Sequence, residues 1–509
     1  MTKRKRRVSG SAAVMLAVAA LVGCGAQHAA GPPATSAPTL APVPVAVPQT
    51  GLDPPPYTVQ IDEPSGARGY VFLNNGGFNP AAAVLNPGHV EAPPPTVPGG
   101  PQIVDKQGRV VWFGQLPANQ SAANFQVQTY HGQPVLTWWQ GDLGGPDTFG
   151  HGNGVDYIVD AHYRVIATLS PQGLHSDVHE FRLTPDGHAL ITAYNPVPAD
   201  LTAVGGPKDG KVWDCVAAVV DVASGETLSQ WSALAHVPVT DSALTTADAA
   251  AYRGGVFDAF HMNSIALAPD GDLLISMRHT STVYKVRPAT GQIAWQLGGK
   301  HSTFALAPGV QFAFQHDAEF ADPHTIRLFN NDTDGADTLG HSSIEWIRLD
   351  EAAHTAALVR NQTHPGGVQT FAMGNAQPLP NGNTFVGWGT GQHVSEFSPT
   401  GELVYDAQTP QGATYRAFLQ EWNAEPADPP QLTVADGDRP ILTAVWNGAT
   451  RVRQWRVLAG DSATALQPAA TADWAGLATT IPVSAAAWFQ VQALDGSGSV
   501  IGQSEPTRR

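Results

Sequence analysis

The chain has 509 residues, more than one ordinary core accommodates, and only 14% of them are charged. Its 52 Gly, 42 Pro, 13 Trp and 18 Phe suit many short strands joined by turns and argue against a helical protein. The formal net charge is −16, and setting aside five cations of a basic leader leaves 22 basic against 43 acidic residues, a balance of −21. Such a body repels nucleic acid and anionic headgroups, so an anionic substrate needs a local cationic pocket.

The leader is Lys3, Arg4, Lys5, Arg6 and Arg7, followed by an apolar run from about Ala12 to Val22. The run is too short to span a bilayer and has signal-peptide form. It ends Leu21-Val22-Gly23-Cys24, which resembles the bacterial lipobox. That resemblance implies that residues 1–24 are a lipoprotein signal peptide, that Cys24 is lipidated, and that the protein sits outside the cytoplasm on the cell membrane. Residues 25–60 are rich in Pro, Ala, Thr and Ser and predict an extended tether. With Cys24 modified, Cys215 is the remaining thiol. Its apolar strand context, Trp213-Asp214-Cys215-Val216-Ala217, predicts a buried small residue and not a nucleophile.

From 61 to 428 the chain reads as a repeat. Units pair an apolar strand, a turn and a second strand, as in Phe181-Arg182-Leu183 before Pro185-Asp186-Gly187 and Ala189-Leu190-Ile191 after it. A second hairpin follows several of these, for example Val286 to Trp295 around Gly291. Four strands per unit predict a six-bladed β-propeller, with less regular first units near 68–116 and 123–170. The turns begin at Pro185, Pro269, Asp322 and Pro380, at intervals of 84, 53 and 58 residues. The longest interval holds an irregular stretch, 234–257, read as a loop over one face.

Six residues before those turns stand His179, Asn263, His316 and Gly374. In a radial repeat, equivalent positions face one axis, so two histidines and an amide should meet. Treating Asp270-Gly271 as a two-residue turn pairs Asn263 with Arg278 and places His261 on the same face. A one-residue change in turn length would break that pairing. Arg278 offers a planar fork suited to tetrahedral oxyanions, and neutral imidazoles can act as nucleophile, acid or base. Asn330-Asn331-Asp332-Thr333-Asp334-Gly335 looks like the start of a calcium loop but lacks the Glu that completes one, so no metal is expected there. No nucleotide-binding glycine loop and no Gly-x-Ser-x-Gly elbow occurs, and no cofactor is expected.

Beyond 429 the pattern becomes short alternating strands, Leu442 to Trp446, Gln454 to Leu458 and Ala487 to Ala493. Residues 429–509 therefore predict a small antiparallel β-sandwich resembling fibronectin type III.

His261-Met262-Asn263 with Arg278 downstream, Phe314-Gln315-His316-Asp317, Asp177-Val178-His179-Glu180-Phe181 and Gly374-Asn375-Ala376-Gln377 resemble the bacterial arylsulfate sulfotransferase family over about 125–420. The resemblance implies a six-bladed propeller that moves a sulfuryl group from one phenol to another without a nucleotide donor. It implies that His316 is the transient sulfo-histidine, that His261, Asn263 and Arg278 bind the sulfuryl oxygens, and that His179 assists as acid, base or ligand. Small phenolic donors and acceptors are the implied partners. The chain lacks the cysteine pair of the enterobacterial members and looks closer to a broader lipoprotein branch. A surface-anchored binding propeller and an aryl sulfate hydrolase are the competing readings.

Overall fold

Alternating apolar side chains and glycine turns give mainly antiparallel strands, seen here in a computed structural model that describes residues 51–75, 99–143, 150–248, 251–332 and 340–509. The leader and Cys24 lie outside the described residues. Six sheets with a four-stranded antiparallel core follow one another along the sequence. The first combines Tyr70–Asn75, Gly100–Asp105 and Val110–Phe113 with Ala417–Gln420, which returns from the far end of the chain to pair with Tyr70–Asn75. The second runs from Ser121–Tyr130 to Val165–Leu169, the third from Phe181–Leu183 to Thr227–Ser232, and the fourth from Met262–Leu267 to Ile293–Gly298. The fifth runs from His316–Asp322 to Thr355–Thr363 and the sixth from Asn375–Pro378 to Leu403–Gln408, with Thr58–Asp62 added on its edge.

Packing links each sheet to the next. Phe72 and Trp112 of the first meet Phe125 and Trp138 of the second. Ile158 meets Phe181 and Ile191, Leu190 and Cys215 join Met262 and Ile275, and Leu274 meets Ile326. Phe329 packs on Val386 and Trp388, and the last cluster, with Phe385 and Tyr405, returns to Val71 and Leu73 of the first sheet. Burial of these aliphatic and aromatic side chains drives the assembly, at about 1.5–3 kcal/mol for each large one.

Buried polar side chains repeat the same circuit. Glu180, Ser264, Asp317 and Asn375 each stand one residue after a position at the fixed spacing from a turn. Each accepts a backbone N–H from the sheet that follows: Ile265 at 3.3 Å, Ala318 at 3.2 Å, Ala376 at 3.0 Å and Ala417 at 2.9 Å. Gln128, Gln377 and Gln420 do likewise through paired amide bonds to Leu183 and Phe181, to Leu419, and to Val127. Arg416, immediately before the returning strand, makes a bidentate pair with Glu180 (2.8 and 3.0 Å) and lies 3.3 Å from Asp317.

The C-terminal strands form two further sheets, Gln431–Ala435, Ile441–Val445 and Ala478–Pro482 in one, and Gln454–Gly460, Gln467–Asp473, Trp488–Leu494 and Val500–Gln503 in the other. They share a core built on Trp455, Val457, Ile481 and Phe489. Asn447 fastens this part to the first sheet by accepting from Phe113 N–H and donating to its carbonyl, both at 3.0 Å.

Candidate functional site

The positions at fixed spacing from the turns do open the first strands of successive sheets. His179 precedes Phe181–Leu183, Asn263 lies in Met262–Leu267, His316 begins His316–Asp322, and Gly374 precedes Asn375–Pro378. Gly374 has φ +108°, and a Cβ there would come within 2.8 Å of the Phe329 ring, so the position without a polar side chain is a steric requirement.

The expected pairing of Asn263 with Arg278 does not form. The turn after Leu267 holds three residues, because Ala268 N–H bonds Asp272 O and Gly271 closes it at φ +87°. A bulge between Met262 and Ser264 then shifts the register again, so Met262 faces Met277 and Arg278 N–H bonds His261 O at 2.9 Å. Arg278 is thus the partner of His261, and Asn263 is the extra residue of the bulge. Its Nδ2 donates to Gln315 O at 2.7 Å, which ties it to the turn carrying His316. Its Oδ1 is buried without a partner.

Left-handed non-glycine residues gather here: Asn124, His261, Phe314, Asp317 and Met373 have φ between 52° and 70°. They aim side chains that a regular strand would not. His316 is buried, and its Nδ1 faces two acceptors, Asn331 Oδ1 at 2.7 Å and Phe314 O at 3.2 Å. The Asn331 amide nitrogen donates to Thr370 O and Met373 O, which fixes its oxygen towards the ring. The proton therefore sits on Nδ1, and Nε2 keeps its lone pair and accepts Met373 N–H at 3.2 Å. Burial, and next the charge of Arg278, push His316 well below the usual histidine range, so it is neutral.

Arg278 is 5% exposed and has no carboxylate within ion-pair distance among the described residues. Its guanidinium lies over the Phe314 ring at 4.2 Å, and one nitrogen reaches Phe371 O at 3.4 Å. Burial lowers its pKa to about 10, with Asp258 opposing the fall.

His179 and His261 meet edge to face, ring centres 4.8 Å apart, and Tyr415 stands 5.6 Å from His179 and 6.4 Å from His316. His179 Nδ1 is held by Asp177, and His261 Nδ1 by Asp258 Oδ2 at 2.5 Å. Asp258 also takes His151 Nε2 at 3.0 Å, and its main-chain carbonyl takes His279 Nδ1 at 2.6 Å. Burial opposes ionisation of Asp258, yet His261, His279 and His151 hold it well below the usual carboxylate range. Burial pushes His261 well down and His279 to about 4, so both are neutral.

Two groups have the composition of a metal site, His151 with Asp258 and His261, and His364 with His393 and Asp406. Metal-bound imidazoles normally donate their second N–H to an acceptor. His151 Nδ1 is buried without one, and His364 Nδ1 instead accepts Gly366 N–H at 3.0 Å, which puts its proton on the nitrogen facing Asp406. Both groups read better as hydrogen-bonded carboxylates.

The spacing argument thus finds His179, His316 and the bulge residue Asn263, and the structure adds Asp177, His151, Asp258, His279, Asn331 and Tyr415. A signal for two of these was present, since Asp177 and Asp258 stand two and three residues before a site histidine. Cys215 is fully buried in the core between the third and fourth sheets, as its context indicates.

The family model described as Arylsulfotransferase (ASST) matches residues 126–410, which run from within the second sheet to the sixth and include every site group above except Asn124, Tyr415 and Arg416. The chain belongs to the arylsulfotransferase family. No curated protein sequence matches it. Among solved structures it is similar to a protein of unknown function from Bacteroides caccae, at 15% identity and a TM-score of 0.40, over 69% of this chain and 98% of that one. A protein of unknown function from Dyadobacter fermentans gives 11% and 0.34, over 65% and 92%. Virginiamycin B lyase from Staphylococcus aureus gives 9% and 0.29, over 74% and 95%.

Proposed function

We propose that this arylsulfotransferase moves a sulfuryl group from an aryl sulfate to a phenol through a sulfo-histidine at His316. The observation that carries the reading is the pairing of a neutral His316, its proton tied to Asn331 on Nδ1, with the buried and unpaired cation of Arg278. The Nε2 lone pair, released from Met373 N–H, forms the N–S bond as the S–O bond to the donor phenol breaks, and that electron pair leaves on the aryl oxygen. In the second half the acceptor oxygen forms its bond to sulfur, the N–S bond breaks, and Nε2 recovers its pair. Arg278 neutralises the sulfuryl oxygens. His179 and His261 carry the proton between the outgoing and incoming aryl oxygens, and Asn263 holds the His316 turn.

The scaffold for this chemistry is a six-bladed β-propeller over 61–428, whose closure is supported by six shared cores and by the strand Ala417–Gln420. A fibronectin type III-like sandwich occupies 429–509. Cys24 is a lipid anchor and the chain after it a tether, which ends before 60 because Thr58–Asp62 is already a strand of the sixth sheet, and the enzyme sits on the outer side of the membrane. Incubation of purified protein with 4-nitrophenyl sulfate and phenol should release 4-nitrophenol and form phenyl sulfate, with a sulfated enzyme visible by intact mass. His316→Asn should abolish both. Retained transfer in that variant defeats the nucleophile assignment, and release of inorganic sulfate in place of phenyl sulfate makes the enzyme a hydrolase.

A further inference from the structure

Asp177 and Asp258 treat two histidines from different sheets in the same way. In each case one carboxylate oxygen accepts the main-chain N–H of the downstream histidine at 3.1 Å, and the carboxylate also takes its Nδ1. Both imidazoles are thereby left with the lone pair on Nε2, and neither Nε2 has a protein partner among the described residues. Asp258 does more than its counterpart. Through His151 Nε2 at 3.0 Å it ties the segment before Asn153–Val159 of the second sheet to the start of the fourth. Its Oδ2 is also 3.5 Å from His279 Nδ1. Around the His261 ring stand His179, His279, His151 and Tyr194, with centres at 4.8, 4.7, 5.5 and 6.2 Å, and Arg278 as the backbone partner. Asp258 is the carboxylate among these neighbours, and it lies behind the ring, away from Nε2.

We propose that Asp258 is a positioning residue for proton transfer, with Asp177 its counterpart at His179. It fixes His261 with the proton on Nδ1 and Nε2 open, and it stabilises the imidazolium formed when Nε2 takes a proton. This rests on the sulfuryl-transfer reading above. The proton comes from the acceptor phenol as its oxygen bonds sulfur and the bond to His316 breaks, and it returns to the aryl oxygen leaving the next donor. An amide at 258 offers N–H groups where the ring needs an acceptor, so it favours the opposite tautomer and puts a proton on Nε2.

The test uses full-length Asp258→Asn, labelled with 15N-histidine. Long-range 1H–15N spectra should show His261 moving from a single Nδ1-protonated form to the Nε2-protonated one. With 4-nitrophenyl sulfate as donor, kcat should fall about 10²- to 10⁴-fold with little change in KM. The loss should be steeper for weakly acidic acceptors such as 4-methylphenol than for acidic ones, because a poor acid needs the base most. The basic limb of the pH profile should move with it. An unchanged His261 tautomer, or an equal loss for every acceptor, overturns the proposal. If the wild-type protein transfers no sulfuryl group, the functional reading fails while the tautomer spectra still decide whether Asp258 positions the ring. Should Asp258→Asn not fold, Asp177→Asn gives the same spectral and acceptor-series readouts at His179.

Discussion

Replacing Arg278 by methionine should make the protein more stable and less active. The guanidinium is 5% exposed and its pKa falls from 12.5 to about 10 on burial, so the folded state disfavours the cation by about 3 kcal/mol. Methionine keeps an unbranched apolar stem against Phe314 and Phe371 but removes the charge. It forfeits a cation–π contact at 4.2 Å, worth about 1–2 kcal/mol when desolvated, and the net gain is then about 1–2 kcal/mol. Loss of the cation that meets the sulfuryl oxygens should lower kcat/KM about 10²- to 10³-fold. Urea unfolding followed by tryptophan fluorescence reads the first quantity, and 4-nitrophenol release the second. Arg416→Met is the internal comparison. That guanidinium is equally buried but bidentate with Glu180, and breaking the pair should destabilise by about 3–5 kcal/mol. If Arg278→Met falls in midpoint as Arg416→Met does, Arg278 is a structural cation and the anion-site argument is wrong.

Two further outcomes follow from buried groups. Glu345 is fully buried with one oxygen unpartnered, and burial pushes its pKa up to about 8, with Asp332 adding to the rise. The folded state keeps this proton above about pH 4.5, where the unfolded chain has released it, so stability should fall as pH rises from about 4.5 to about 8. Glu345→Gln should flatten that fall in melting curves at pH 5 and pH 8, and an unchanged slope would exclude Glu345 as its source. Gly374→Ala meets a left-handed φ and the Phe329 ring at 2.8 Å, and should destabilise by about 1–3 kcal/mol. Because Met373 O anchors the Asn331 amide that holds His316 Nδ1, the same variant should slow sulfo-enzyme formation in single-turnover assays, and wild-type rates would dissociate the two.

The sequence disclosed what depends on local patterning. Period-two apolar runs and Asp-Gly or Asn-Gly turns place six four-stranded units, and the boundaries of the first two, 68–116 and 123–170, lie close to the strands from Tyr70 to Phe113 and from Ser121 to Leu169. The distance back from each turn identified His179, Asn263 and His316 because it is counted along one short segment at the start of each sheet. The cross-strand pairing of Asn263 with Arg278 failed, because one extra turn residue and one bulge residue each move the register by a single place, and neither leaves a compositional mark in Leu267-Ala268-Pro269-Asp270-Gly271. Asn331 looked like part of a calcium loop, yet its oxygen holds His316, fifteen residues away across a hairpin. His151 and Asp258 are 107 residues apart and meet through the packing of different sheets, a relation that no spacing rule reports.

The unpaired Arg278 and the neutral His316 are two sides of one arrangement. A nucleophilic imidazole must keep its lone pair, while an anionic ester needs positive charge nearby. A carboxylate placed on Arg278 would satisfy the guanidinium but repel the ester, and would raise the basicity of His316 until it held a proton. Leaving the cation unpaired does the opposite on both counts, since its charge is the largest electrostatic influence keeping His316 deprotonated. The sulfuryl oxygens then supply the missing counter-charge, and the roughly 3 kcal/mol by which burial disfavours the lone guanidinium is relieved when the anion binds. An acidic protein, with 22 cations against 43 anions outside its leader, can in this way attract an anion at one point of its interior. Binding of inorganic sulfate should therefore raise the stability of the wild-type chain and leave Arg278→Met unchanged, because the relief exists only where the buried charge does.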